Sequence, residues 1–240
     1  MPNHVVNRIT VIGNPEIVKE LLSNVKDDNT GIGSIDFNKI IPMPESLRIE
    51  SGSNSDRGLK AYREFIGEYV PDVAENVDSI DRIPPESEAA FLRAHPDITP
   101  VQWELGKTAF ANQVRFGAPT WYEWSIKNWS TKWNAYDCRF RGKTGDNPEL
   151  FFLTAWNAPY RVIKKLAEQY PGLRFVHEWA DECIGENCGR GEYSKGCYVK
   201  ETFPDGDEAT SFADNLWGTF ESADGCQNEN ESQTIGGIQL

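Results

Sequence analysis

Two stretches of this chain, far apart in sequence, carry the same order of signals, and that repetition limits the available folds more than any other feature. In the first, His4-Val5-Val6-Asn7-Arg8-Ile9-Thr10-Val11-Ile12 alternates as a strand does, and Gly13-Asn14-Pro15-Glu16 supplies a turn, an N-cap and a first-turn proline. Ile17, Val18, Leu21, Leu22 and Val25 follow at helical spacing. The polar cluster Asp27 to Gly33 ends that helix, and Ser34 to Ile41 is expected as a second strand. In the second stretch, Leu150 to Thr154 reads as a strand and Asn157-Ala158-Pro159 as a helix start, with Val162, Ile163, Leu166, Ala167 and Tyr170 as the stripe. Pro171-Gly172 stops the helix, and Leu173 to Trp179 alternates as a strand with Leu173, Phe175, His177 and Trp179 on one side. Two such units joined by a crossover make an α+β fold, a ferredoxin-like split βαβ antiparallel sheet. The term names a topology and implies no iron.

Between the units, Leu59 to Tyr69, Glu86 to His95 and Val101 to Phe116 are expected as helices, with Pro42, Pro44, Pro71, Pro84, Pro85 and Pro96 marking boundaries. Trp121 to Trp133 then holds four of the eight tryptophans. At about 100° per residue, Trp121, Trp124, Trp129 and Trp133 with Tyr122 and Ile126 spread over an arc of roughly 200° of a helix, which would be buried on more than one side. Asn128 falls inside that arc and needs hydrogen-bond partners if buried. Ala135 to Phe140 resembles a further strand, Glu182 to Glu192 a glycine-rich loop, and Gly196 to Phe203 a last strand or hairpin arm. The expected organisation is one composite domain over 1–200, with the sheet drawn from 1–41 and 135–200. A large, mostly helical insertion at 42–134 packs on one face of that sheet, with the tryptophan helix as its seam. Residues 201–240 form an acidic C-terminal extension, partly mobile, with a tail from Ser222 onward.

The 39% hydrophobic content suffices for a core, and no run approaches the roughly 18 apolar residues of a membrane span. The polar start Met1-Pro2-Asn3-His4 does not have the pattern of a signal peptide, which points to a cytoplasmic protein. Five cysteines, an odd number, suggest thiols rather than a disulfide framework. A net charge of −13 argues against general nucleic-acid binding, since phosphate contacts need clustered Lys and Arg. Most of that charge lies after Glu201, where Asp205, Asp207, Glu208, Asp214, Glu221, Asp224, Glu229 and Glu231 meet no Lys or Arg. Such a stretch is either a solvating tail or a surface that imitates DNA phosphates.

Cys183-Ile184-Gly185-Glu186-Asn187-Cys188, with Cys197 downstream and His177 upstream, is the one cluster with zinc-ligand residue types. Its spacing is unusual and holds no second close pair, so isolated thiols and a core histidine are the plainer reading. Gly185 to Gly191 has neither the strand-to-helix context nor the lysine of a phosphate loop, and reads as a turn. The three histidines, His4, His95 and His177, accompany no nucleophile-elbow serine. Asp181-Glu182 and Asp205, Asp207, Glu208 are loop carboxylates that could face a divalent ion but are ordinarily solvated. No catalytic residue and no cofactor is expected. The candidates for partner contact are Trp121, Trp124, Trp129 and Trp133, because exposed Trp dominates interface hot spots and stacks on bases, together with Asp205, Asp207 and Glu208. For the rings, burial in a core is the competing and stronger reading.

Several motifs in order carry a resemblance: Met1-Pro2-Asn3-His4-Val5 with Asn7-Arg8, and Ile35-Asp36-Phe37-Asn38-Lys39-Ile40-Ile41-Pro42-Met43-Pro44. Further on come Trp121 to Trp124 leading into Asn128 to Ala135, and Thr154-Ala155-Trp156-Asn157-Ala158-Pro159. Together they resemble the YubB-like, Api-like family of phage, plasmid and other mobile-element proteins, over roughly residues 1–45 and 115–200. The resemblance implies a ferredoxin-like domain, a mobile-element setting and no catalytic residues. The expectation is therefore a non-enzymatic interaction protein acting in the host bacterial cytoplasm on a host or element-encoded protein. A counter-defence inhibitor of anti-CRISPR type, acting on a basic nucleic-acid-processing complex, is its narrower form. The alternatives are a metal-dependent enzyme or factor acting on nucleotides or nucleic acid, and a nucleic-acid-binding ferredoxin-like module. Neither a membrane nor direct nucleic-acid contact is expected.

Overall fold

The computed structural model describes residues 3–69, 83–142 and 147–225. The chain divides into two compact units, one formed by Met1–Pro42 with Ile126–Leu240 and the other by Met43–Ser125.

Among the described residues the first unit is built on a seven-stranded sheet. Its strands are β1 (His4–Ile12), β2 (Tyr136–Arg141), β3 (Glu149–Ala155), β4 (Arg174–Asp181), β5 (Cys188–Ser194), β6 (Cys197–Thr202) and the two-residue β7 (Asp224–Gly225). They lie in the order β6-β5-β4-β1-β3-β2-β7, and each neighbouring pair is antiparallel. The inner four, β4-β1-β3-β2, are two interleaved split units. Helix α1 (Pro15–Val25) leaves β1, whose parallel mate β2 lies beyond β3, and α6 (Tyr160–Gln169) joins β3 to β4 across β1. This is the ferredoxin-like α+β topology. Asn14 caps α1 by accepting from the Glu16 amide at 2.9 Å, Pro15 opens it, and Val18, Leu21, Leu22 and Val25 are its buried stripe. In α6, Val162, Ile163, Leu166 and Ala167 are buried, and Asn24 of α1 reaches the Tyr170 hydroxyl at 2.9 Å.

Two expectations need correction. Ser34 to Ile41 is not a strand: Asp36 caps a 3₁₀ turn at Phe37–Lys39 by accepting from the Asn38 amide. Asn134 holds that turn from outside, accepting from the Phe37 amide at 2.8 Å and donating to Asp36 at 2.7 Å. The strand that completes the first split unit is β2. The region 182–192 is not all loop either, because β5 begins at Cys188. Gly189 sits opposite Trp179, and a Cβ there would run into the Trp179 ring, so the glycine makes room for the indole rather than loosening the chain.

Sequence reading placed no helix beyond residue 200, yet Gly206–Glu221 is helix α7. Ala209, Ala213, Leu216 and Phe220 pack on Val6, Phe151, Leu153, Ala180 and Cys188, one face of the sheet. The tail reading for residues 226–240 lies outside the described residues, as do Met1, Pro2 and the boundary residue Pro71.

The second unit holds α2 (Ser53–Tyr69), α3 (Pro85–Ala94) and α4 (Pro100–Phe116) around Leu59, Tyr62, Phe65, Ile66, Phe91, Trp103 and Phe110. A capping box of Thr99 and Gln102 starts α4, and Gly117 at φ 70° ends it. The fully buried Trp103 satisfies its indole N–H on Glu88 at 2.5 Å. Helices α2 and α4 cross where Gly58 meets Gly106: a Cβ on either would overlap the other helix's backbone. Helix α5 spans Trp121–Trp129, so it stops short of Trp133, and Ser130 leaves it in the left-handed region at φ 68°.

Candidate functional site

The four tryptophans of the 121–133 run separate by environment. Trp124 and Trp129 are buried. The Trp129 indole N–H donates to the Ile41 carbonyl at 3.0 Å and its ring meets Phe37 edge-on. Trp121 and Asn128 are half-buried, while Ile126, expected in the buried arc, is exposed. Trp133, beyond the helix, keeps 38% of its surface.

The metal candidates do not assemble. His177 is fully buried on β4, with its face shared by Asn7 and Trp179. Cys188 pairs in register with Ala180 on the opposite face, under α7. Cys197 pairs with Ser194, so the length of β5 separates it from Cys188, roughly 20 Å at the rise of a strand and far beyond a shared tetrahedron. Cys183 is exposed after β4, and desolvation and the Asp181 carboxylate push its thiol up, while burial does the same for Cys188. Among the described residues no group of three or more His, Cys, Asp or Glu is placed to hold a metal ion. Asp205, Asp207 and Glu208 sit, exposed, at the start of α7, where acidic groups complement the helix dipole.

What the fold does bring together is an aromatic patch at the end of the sheet where β1 begins and β3 and β4 finish. The Lys132 ammonium lies 4.9 Å from the Trp133 ring centre and 4.7 Å from that of Trp156, with both rings partly exposed. Trp133 meets Tyr136 edge-on, and the Tyr136 hydroxyl shares a 2.6 Å hydrogen bond with His4 Nδ1. Desolvation, helped by Glu182 and Asp137, pushes the Tyr136 phenol up to about 12, so it stays protonated as a donor and reaches the Thr154 carbonyl.

The backbone beneath the patch is clamped. Trp156 has φ 73°, a left-handed conformation that costs a bulky residue about 1–3 kcal/mol. Its amide donates to the Asn3 carbonyl at 2.9 Å, and its carbonyl accepts from Asn187 at 3.3 Å. Beside it, the Thr131 hydroxyl donates to the Ala155 carbonyl at 2.7 Å and accepts from the Ala155 amide at 3.2 Å. Three of the motif segments, Asn3-His4, Trp129 to Ala135 and Thr154 to Ala158, thus converge on one spot. Of these residues the sequence marks Trp133 as a candidate contact, carries Trp156 only within a family motif and gives Lys132 no distinct signal. The left-handed bend at Ser130 that brings Lys132 over both rings left no periodic signal.

A buried polar network lies deeper on the same strands. Asn7 Nδ2 donates to the Val5 carbonyl at 3.0 Å and to the Thr154 hydroxyl at 2.8 Å, which turns Asn7 Oδ1 toward His177 Nε2 at 3.0 Å. The imidazole therefore carries its proton on Nε2, and Nδ1 has no hydrogen-bond partner among the described residues. Burial drives this histidine down to about 3, so it is neutral and structural.

The fold is that of a ferredoxin-like α+β protein, with two partly exposed indoles flanking a lysine at one end of its sheet. Residues 129–232, which include β2 through β7, match the family described as the ferredoxin-like domain in Api92-like protein. A crystal structure of a protein api92 from Yersinia pseudotuberculosis aligns with a TM-score of 0.42 and 12% identity, covering 86% of this chain and 99% of that one. No curated protein matches the sequence. Among the described residues no helix is long and apolar enough to cross a membrane.

Proposed function

We propose that this chain is a non-enzymatic interaction protein that grips a partner protein through Lys132, Trp133 and Trp156. The observation that carries the reading is Trp156: a large indole held partly exposed on a left-handed backbone, stacked on a lysine that a second exposed indole also flanks. Strain of that kind persists only where the surroundings over-determine it, and exposed Trp on a rigid backbone is the usual anchor of a protein interface.

The net charge of −13, with Asp205, Asp207, Glu208, Asp214 and Glu221 exposed on α7, favours a basic partner. The resemblance to YubB-like and Api-like mobile-element proteins directs the search to basic nucleic-acid-processing proteins of a bacterial host, with counter-defence inhibition as the narrower form. Direct nucleic-acid binding on the sheet is less well supported. On the face that α7 packs against, Arg8, Arg141, Arg174 and Arg190 are engaged with Glu149, Glu178 and Glu192 of the same sheet.

The test is affinity capture from bacterial lysate with the full chain and with the Trp133→Ala/Trp156→Ala variant, whose fold is checked by circular dichroism. The expected outcome is a stoichiometric partner retained by the parent chain and lost by the variant. Recovery of no stoichiometric partner, or of the same one by both chains, overturns the proposal.

A further inference from the structure

A second surface, apart from the aromatic patch, lies where α6 faces the β5–β6 hairpin. A groove of about 610 Å³ is lined there by the rings of Tyr160, Tyr193, Tyr198 and Phe203. The rings brace one another: Tyr193 and Tyr198 meet at 5.7 Å, and Trp179 touches both Tyr160, at 5.1 Å, and Phe203, at 6.0 Å. Tyr198, Val199 and Phe203 are nonetheless exposed.

Three further observations say what would occupy the groove. First, among the described residues β6 is the end strand of the sheet and pairs with β5 alone, which leaves its outer row of backbone N–H and C=O groups to strand addition. Second, the charges in the groove are Arg161 and Lys164 against Glu201. Glu201 accepts a hydrogen bond from the Tyr198 hydroxyl at 3.2 Å, whereas neither cation has an ion-pair partner among the described residues. Third, these two exposed cations stand one helical turn apart in a chain whose net charge is −13, so the groove reverses the sign of the molecule locally.

We infer that this groove and the β6 edge together bind an extended acidic segment of another protein, which adds to β6 as an outer strand and sets its carboxylates on Arg161 and Lys164. Positions i, i+2 and i+4 of the added strand face the groove, so the carboxylates on Arg161 and Lys164 and the apolar side chains on the rings of Tyr160, Tyr198 and Phe203 come from that one set, while the residues between them face the other side of the sheet. The inference does not depend on the Lys132 patch.

Fluorescence anisotropy on the full chain tests it. The probe is a labelled peptide with Thr at every second position and Glu, Val and Tyr at the positions between, so that acidic and apolar side chains share one face, compared with the same peptide carrying Lys for Glu and with an acidic version N-methylated at alternate residues. The acidic peptide is expected to bind saturably, with the basic and the N-methylated peptides each at least about tenfold weaker. Arg161→Glu/Lys164→Glu is expected to weaken the acidic peptide by at least about tenfold and to favour the basic one. Trp133→Ala/Trp156→Ala is expected to leave peptide binding unchanged, which separates this surface from the one proposed above. Absence of saturable binding, equal affinity for acidic and basic peptides, or indifference to N-methylation overturns the inference. So does displacement of the peptide by self-association of the chain or by an oligothymidylate that binds the same two cations more tightly.

Discussion

At the scale of single residues the chain places its polar groups in two different ways. Around Lys132 they hold side chains out; around His177 they are enclosed. The second arrangement has a pH consequence whose sign follows from the burial. Unfolded, His177 titrates near its ordinary value of 6.5; folded, it resists protonation down to about 3. Between those values the unfolded chain binds a proton that the folded chain does not, so stability falls as pH drops through that window, by up to about 1.4 kcal/mol per pH unit, and this contribution is flat above it. Urea melts from pH 7.5 to 4.5 should show this slope, and His177→Gln should flatten it. An unchanged slope in the variant would assign the acid sensitivity to other groups. Asn7 and Thr154 explain why a histidine is tolerated there at all: one ring nitrogen is satisfied, and the other needs no proton.

At the scale of elements, local periodicity revealed β1, α1, β3, α6, β4 and α4 because each has a clean stripe and its own caps or breakers. The failures have physical causes. Ser34 to Ile41 and Tyr136 to Arg141 both alternate, and what separates them is Asn134, a residue distant in sequence that captures the Phe37 amide and turns the first segment into a 3₁₀ bend. Helix α7 was obscured by its acidic, Gly- and Ser-containing composition, although Ala209, Ala213, Leu216 and Phe220 hold a helical stripe in plain view. Of the aromatic patch, one ring of two was legible; the meeting of Trp133 with Trp156 is set by tertiary geometry that no window along the chain contains. The α2–α4 crossing offers an element-scale test. Gly58→Ala or Gly106→Ala places a methyl against backbone that cannot swing aside, and each should destabilise the α2–α4 pair by at least about 2 kcal/mol. Hydrogen exchange of the α2 and α4 amides reads this directly, and parent-like protection would mean that the helices part at little cost.

At the scale of the whole molecule, the sheet is tied across its width by charge as well as by backbone pairing. Arg8 on the central strand reaches Glu178 at 2.6 Å and Glu149 at 3.7 Å; Arg141 joins Glu149 at 3.1 Å, and Arg190 joins Glu178 at 3.6 Å and Glu192 at 3.3 Å. Glu178 is buried, so removing Arg8 leaves a carboxylate with only its more distant cation. Arg8→Ala should therefore cost about 2 kcal/mol, and Arg8→Ala/Glu178→Ala less than the sum of the two single changes. Additive losses in thermal or urea melts would show that the two residues act independently. The same central strand sets the timetable of folding. Val6 of β1 finds its sheet partners in Leu153 and Ala180, both made long after it. On the ribosome β1 emerges well before β3 and β4, the two strands that flank it, and the helices of 43–125, whose contacts are local, come between and can form while synthesis continues. Until β3 and β4 are made β1 has no mate, and its alternating, valine-rich strand needs shelter.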